Sequence, residues 1–493
     1  MNALRNTVFS KQVGKFLNSR YFVLISGAVS LISALFGLEL FAFFYFAICT
    51  VIIALFCKTS KPLVPVVLLV TFSVSRKHYP SVNNPDEVGR GFLYDRRILT
   101  VIIVLFSVAM LAFILQTVFN KRIKAVFLRR TRLTVGLIAF LIGMCLNGLF
   151  ADGYAAKNFL IGFIEGFSFL AVYAFFNGTL GKKKVGYDYY CKVCAVVLIV
   201  VLIQLFATVL PLIFSDNAIN KGTVYLGWGV SNNIGCVIVL TIAPVMYLAY
   251  SDRHGYVYVC LAFMALAGVS LTLSRGSLIV ACAQFVPLIL FVLIKGRSKI
   301  LNLVVTLLIS ATIGLCACFF KDKLVLIYDF FLKSKLNDAN RFVLWRQAVD
   351  NFITAPIFGT GFACYSSDFK FATENFFFGI VTYHNTLLQI LSSCGAIGII
   401  CYILTRVESF VLLLKRPTTT RLFALIGVCS FLLNCMLDNH YFYFYPTFFY
   451  LLNLVYAERD LNYSLYNKSI LFKNKKSSKC EKRKTAGYNA IKR

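Results

Sequence analysis

Apolar residues run through this chain in blocks, and the polar positions gather between them. At about 20 residues each, such blocks can cross roughly 30 Å of hydrocarbon. The pattern predicts spans near 21–37, 38–57, 62–75, 98–119, 133–150, 158–177, 193–214, 230–250, 256–273, 277–294, 300–320, 385–413, 421–437 and 440–456. That is about fourteen transmembrane helices by the hydropathy rule. The block 62–75 is short and carries Pro62 and Pro65. The fold class read from the pattern is all-α: a polytopic membrane protein with no internal repeat, no heptads and no separate soluble domain. It has a cytoplasmic N-terminus (1–20), a transmembrane region (21–457) and a C-terminal tail (458–493).

Two connections break the rhythm of short turns. One is the segment 76–97, with Arg76, Lys77, Asp86, Glu87, Asp95, Arg96 and Arg97. The other runs from about Lys321 to Tyr383 and is predicted to be extracytoplasmic. A connection beyond about 15 residues is usually functional or disordered, and this one is rich in Phe, Leu and Trp. Asn337 or Asp338 is placed to cap a helix through about Phe352, with Phe342, Trp345, Val349 and Phe352 on one face and Arg341, Arg346 and Asp350 beside it. That pattern suits a helix lying in the membrane interface. The helix must stop ahead of Pro356, and Gly359-Thr360-Gly361 allows a tight turn. The loop therefore reads as a lid.

Composition agrees with a membrane protein: 59% of the 493 residues are hydrophobic, 14% are charged and the mean hydropathy is +0.78. The net charge of +30 raises nucleic acid as a partner, but its placement argues against that. With alternating sides, roughly 35 of the 50 Lys and Arg fall on cytoplasmic segments, including Lys121–Arg132 and Lys182–Lys184, as the positive-inside rule requires. The tail carries about 11 basic against 3 acidic residues. At roughly 1 kcal/mol per basic residue near anionic lipid, it is expected on the inner leaflet. Most of the 16 cysteines lie in apolar spans as small hydrophobes. Cys191-Lys-Val-Cys194 has the spacing of half a zinc site, and no second pair or nearby His completes it. The basic and then apolar N-terminus, without a small-residue cleavage site, reads as a retained signal-anchor.

Few residues remain as candidates for chemistry. Arg275 stands in a very short outer turn, Leu273-Ser274-Arg275-Gly276-Ser277. It is either an interfacial anchor or an anion clamp whose fork suits phosphate. Arg341 and Arg346 begin the lid helix; Arg341 lies near a helix N-terminus, which itself attracts anions, and the plain alternative is a solvated face. His384, one of only 4 histidines, follows Tyr383 where the loop re-enters a span, and Asn385 can cap or orient it. A helix N-terminus and nearby arginines both disfavour the imidazolium, which leaves a neutral ring able to act as a general base. A satisfied histidine at a helix cap is the alternative. Glu165, the one carboxylate near the middle of a span, is expected to face a cavity or a buried amide. His78, His254 and His440 lie in loops without supporting context.

In order and spacing, these pieces resemble the O-antigen ligase and polymerase family. The resemblance rests on Leu271-Thr-Leu-Ser-Arg275-Gly276, Arg341-x-x-x-Trp345, Pro356-x-x-Gly359-x-Gly361 and His384-Asn385-x9-Gly395-x-x-Gly398, with Asn233 in Gly229-Val-Ser-Asn-Asn-Ile-Gly235 as an Asn-containing span start. It covers about residues 225–405. It departs from the family where Ser392, Ser393 and Cys394 stand in place of an acidic residue. The resemblance implies a GT-C-like glycosyltransferase in the bacterial cytoplasmic membrane, both termini inside, using no metal and no cofactor. The donor would be a polyprenyl-diphosphate-linked oligosaccharide and the acceptor a glycan. Arg275 and Arg341 would hold the diphosphate and His384 would deprotonate the acceptor. The bottom-up reading asks for the same parts: cations where leaving-group charge develops, a neutral base and a lid. A repeat-unit polymerase for capsule, exopolysaccharide or O-antigen is the first reading, and a ligase sharing the motifs the second. A lipid-linked-oligosaccharide flippase is the third, without the repeat halves such transporters usually show. The sequence leaves open whether a chain-length regulator docks outside.

Overall fold

The computed structural model describes residues 8–76, 131–150, 156–180, 186–214, 221–319, 336–362 and 383–462, together with Thr100 and scattered positions between 104 and 114. Within them the chain is helical apart from one two-stranded ribbon. In order come α1 (Val8–Leu17), α2 (Arg20–Phe36), α3 (Glu39–Phe56) and α4 (Leu63–Leu69), the last continued by a 3-10 turn over Val70–Ser73. Then follow α5 (Thr134–Phe150), α6 (Ala156–Thr179), α7 (Tyr187–Phe214), β1 (Tyr225–Leu226), β2 (Gly229–Val230), α8 (Ser231–Ser251), α9 (Gly255–Leu271), α10 (Arg275–Lys295) and α11 (Lys299–Phe319). Last are α12 (Leu336–Thr354), α13 (Thr386–Leu414), α14 (Thr419–Leu437) and α15 (residues 444–462).

Seven of the described helices are long and apolar enough to cross a membrane, or eight when α1 and α2, bent by 62°, count as one. Four shorter apolar helices of 10–17 residues join them: Leu63–Ser73, Thr134–Asn147, Gly255–Leu271 and Lys299–Leu315. The predicted block 62–75 is one of these short pieces, and its free carbonyls are met by side chains. Ser30 Oγ donates to Leu69 O, Ser33 Oγ to Ser73 O and Gln204 Nε2 to Phe72 O. Most of 98–119 and of the segment 76–97, Lys121–Arg130, Lys182–Lys184, the loop stretches 320–335 and 363–382 and the tail from 463 lie outside the described residues. α15 continues to residue 462, with Glu458, Arg459 and Leu461 buried, because their side chains pack inside the bundle.

α8 is the hub: it is buried along nearly its whole length, and it packs on α7, α9, α10 and α14. Small residues make that possible. A Cβ on Gly235 would sit 2.7 Å from Ser277 Oγ and 3.3 Å from Thr272 Oγ1, so the start of α8 lies hard against the α9–α10 turn. On the other side α5 and α6 form a hairpin, and α5 packs on α13.

α13 is broken at Gly395, where φ is +62° and ψ is −160°, a region open only to glycine. The segment Pro356–Gly361 is threaded into the break. Thr360 N–H donates to Ser392 O (2.9 Å), Gly361 N–H to Ser393 O (3.1 Å), Ala396 N–H to Pro356 O (2.8 Å) and Ile397 N–H to Ile357 O (3.3 Å). These bonds satisfy the groups that the break frees, which an apolar bundle demands. The approach needs glycine on both sides. A Cβ on Gly359 would lie 2.4 Å from the Ser393 carbonyl carbon, and one on Gly395 would lie 2.5 Å from Ile357 O. Pro-x-x-Gly-x-Gly and Gly-x-x-Gly are thus two halves of one interlock, rather than a free turn and a separate helix motif.

Candidate functional site

The interlock pins α12 over the first half of α13. Trp345 Nε1 donates to Tyr383 O (3.0 Å), Asn351 Nδ2 donates to Tyr383 OH (2.8 Å), and Leu344, Ala348 and Tyr383 form a small buried cluster. The predicted lid helix therefore exists and ends before Pro356, but its packed face is different. Phe342 and Val349 are exposed, and Leu344 and Ala348 take the contact, because the support is α13 and the Tyr383 turn.

Asn385 caps α13, its Oδ1 accepting from Leu387 N (2.9 Å) and Leu388 N (3.1 Å) while its Nδ2 reaches Met436 O (3.0 Å). This is the N-cap role expected of Asn. The residue before it, His384, adopts φ +50°, a conformation that costs a non-glycine residue about 1–2 kcal/mol. Leu273, two residues before Arg275, adopts φ +56°. Strain of this kind collects at functional sites, and here it flanks one site from two distant parts of the chain.

At its centre His384 Nδ1 lies 2.9 Å from Asp438 Oδ1. The carboxylate is buried (8% side-chain exposure) and the imidazole is not (39%). Asp438 Oδ1 also accepts from Asn439 N–H (2.8 Å), and Oδ2 accepts from Asn232 Nδ2 (2.7 Å). Asn232 Oδ1 in turn accepts from Ser274 Oγ (3.0 Å), next to Arg275. Burial alone would push the Asp438 carboxyl up. The His384 hydrogen bond, the charges of His440 and His384 and the Asn439 N–H outweigh it and hold the group well below the usual carboxylate range. An ionised carboxylate can only accept, so His384 Nδ1 carries the hydrogen. In the neutral ring Nε2 is left as the acceptor.

Arg341 stands on α12 one turn before Trp345, whose indole bonds the Tyr383 carbonyl. His440, two residues past Asp438, is held below its ordinary value, first by burial and then by the His384 and Arg341 charges, against the pull of Asp438. Arg275 is half-buried at the start of α10, where Gly276 abuts Leu437, the residue before Asp438. Thus α8, the α9–α10 turn, α12, α13 and the α14–α15 turn meet at one end of the bundle.

Not every expected residue is part of it. Arg346 is exposed on α12. Asn233 is buried, yet its neighbour Asn232 is the one bonded to Asp438, since a one-residue step on a helix turns the side chain by about 100°. Gly359 and Gly361 belong to the interlock. Glu165, half-buried on α6, has no side-chain hydrogen bond to this network among the described residues. His254 stands just before α9 and makes no side-chain capping bond; His78 lies outside the described residues. The sequence reading missed Asp438 and His440 and placed only cations beside His384. Asp438-Asn439-His440 is itself an unusually polar triplet between apolar spans, the one signal that could have drawn attention to it.

A family model described as O-antigen ligase matches residues 260–403. That stretch is similar to the O-antigen ligase family. No curated protein matches the chain. The matched region includes Arg275, Arg341, Trp345, Gly359, Gly361, His384 and Asn385, while Asn232 and Asp438 reach the site from either side of it. The resemblance read from the motifs is therefore upheld over this region, and the several long apolar helices make the protein a multi-pass membrane protein.

Proposed function

We propose that this protein is an integral-membrane glycosyltransferase that polymerises polyprenyl-diphosphate-linked oligosaccharide units at the outer face of the cytoplasmic membrane. The observation that carries this is the open His384 imidazole oriented by a buried Asp438, beside two chain segments that bring arginines. In the transfer, the acceptor hydroxyl oxygen attacks the anomeric carbon of the donor and its proton passes to His384 Nε2. The anomeric carbon–phosphate oxygen bond breaks, and polyprenyl diphosphate leaves with the electron pair, inverting the configuration. Arg275 and Arg341 hold the diphosphate, whose charge grows as the bond breaks; charge-assisted bonds are the strong ones. Asp438 keeps the imidazole in the right tautomer and stabilises the imidazolium that forms. α12 excludes water from the reacting groups.

A second reading, transfer of the glycan to a lipid or protein acceptor, is favoured by the description of the matching family. One experiment separates them. Purified protein is given only the lipid-linked oligosaccharide extracted from cells lacking this chain. A ladder of products supports polymerisation. No product, followed by transfer once a lipid-core or protein acceptor is added, supports ligation. Movement of the lipid-linked sugar across a vesicle bilayer without any change in its covalent length would instead identify a flippase.

A further inference from the structure

Arg406 stands in the second half of α13, past the Gly395 break and inside an apolar span, and it is buried. An intramembrane arginine is costly and usually has a task. Among the described residues no carboxylate pairs with it. Three tyrosines enclose it instead: the guanidinium carbon lies 4.8 Å from the ring centres of Tyr402 and Tyr441 and 4.9 Å from that of Tyr450. Its Nη1 donates to Tyr450 OH (2.5 Å) and its Nη2 to Tyr441 OH. Tyr441 is in the 3-10 turn His440–Phe442, three residues past Asp438, and its carbonyl accepts from Thr447 Oγ1 (2.9 Å).

The same turn is gripped from the other half of α13. Thr386 Oγ1 donates to Asp438 O (3.3 Å), and Gln389 Oε1 accepts from Asn439 Nδ2 (2.8 Å). One broken helix therefore presents His384 at its tip and holds the segment carrying Asp438 at two points, on either side of the break.

We propose that Arg406 is a positioning residue: through Tyr441 it sets the place of Asp438 against His384. This rests on the glycosyl-transfer reading of that pair. Arg406 touches no reacting group in this account; it acts through the turn. Lysine would keep the charge but lose the planar fork that reaches two hydroxyls at once. Phenylalanine at 441 would keep the ring and lose only the hydroxyl.

The test measures kcat and KM for purified Arg406→Lys and Tyr441→Phe on the lipid-linked oligosaccharide extracted from cells lacking this chain, each alone and with Asp438→Asn. Displaced support for a working group typically costs about 10-fold or more. The expected result is a fall of about that size in kcat with KM changed by less than about twofold, and no further fall when Asp438→Asn is already present. Equal proportional losses in both backgrounds show a merely structural residue and overturn the inference, as does an unchanged kcat. If Arg406→Lys fails to fold, Tyr441→Phe carries the test alone. A wild-type protein that converts none of the extracted lipid, whether alone or with a lipid-core or protein acceptor added, overturns the transfer reading itself.

Discussion

Two buried carboxylates sit at opposite ends of the α14–α15 pair, and they are treated differently. Glu458, near the end of α15, accepts from Tyr173 OH (2.5 Å), Asn177 Nδ2 (2.7 Å) and Arg132 N–H (3.1 Å). Two of these donors are buried side chains and the third is backbone, so the group is closed. Asp438, after α14, is as deeply buried, but one of its partners is a half-open imidazole on a strained backbone. Under the proposed function, burial and hydrogen bonding are therefore not what would distinguish a working carboxylate from a structural one. The difference is whether the last group in the network has a free face toward a substrate.

The strongest challenge to that contrast is loss of the open end. His384→Ala and Asp438→Asn should each lower turnover of the extracted lipid-linked oligosaccharide by about 100- to 10,000-fold, while Glu458→Gln should leave kcat of the folded protein within about threefold. Similar losses at both carboxylates would erase the distinction. Next, Arg275→Lys and Arg341→Lys should each lower kcat/KM by about 10- to 100-fold, because a point charge cannot replace a bidentate contact; an unchanged kcat/KM would remove that arginine from the site.

Stability effects follow. Gly395→Ala places a side chain against Ile357 and forbids the observed backbone, so it should cost about 1–3 kcal/mol or more and lower the melting temperature in detergent. Glu458→Gln should cost about 1–3 kcal/mol by leaving buried donors poorly matched. The smallest effect concerns pH. His440 has a folded value below its ordinary 6.5, so the unfolded chain binds more protons as pH falls below about 6.5. Its stability contribution is complete above that pH and is lost as pH drops toward the folded value. A plot of melting temperature against pH should be flatter just below 6.5 in His440→Gln than in the wild type, and Glu458→Gln should not change that slope.

The apolar blocks were legible because each long helix must cover itself with about 20 apolar residues whatever its neighbours are. The lid helix was legible for its proline stop, although it begins at Leu336, ahead of the expected caps Asn337 and Asp338. Its packed face was not: Phe342 and Val349 fit an apolar stripe as well as Leu344 and Ala348 do, and only contact with the Tyr383 turn selects between them. Similarly, the glycines of Pro356-x-x-Gly359-x-Gly361 and of Gly395-x-x-Gly398 announced unusual backbone without announcing that they meet.

By itself, the sequence determined an all-helical membrane protein, the position of its long polar interruption, and Arg275, Arg341 and His384 as its candidate chemical groups. Those follow from local rules: hydropathy over one span, helix caps, and the scarcity of charge among apolar residues. Only the tertiary structure decided that Asp438 and not another acid meets His384, that Asn232 rather than Asn233 joins them, and that one broken helix holds both partners. These are contacts between residues 35 to 206 positions apart, set by how helices cross and where glycines let them touch, and no pattern along a single helix encodes a crossing.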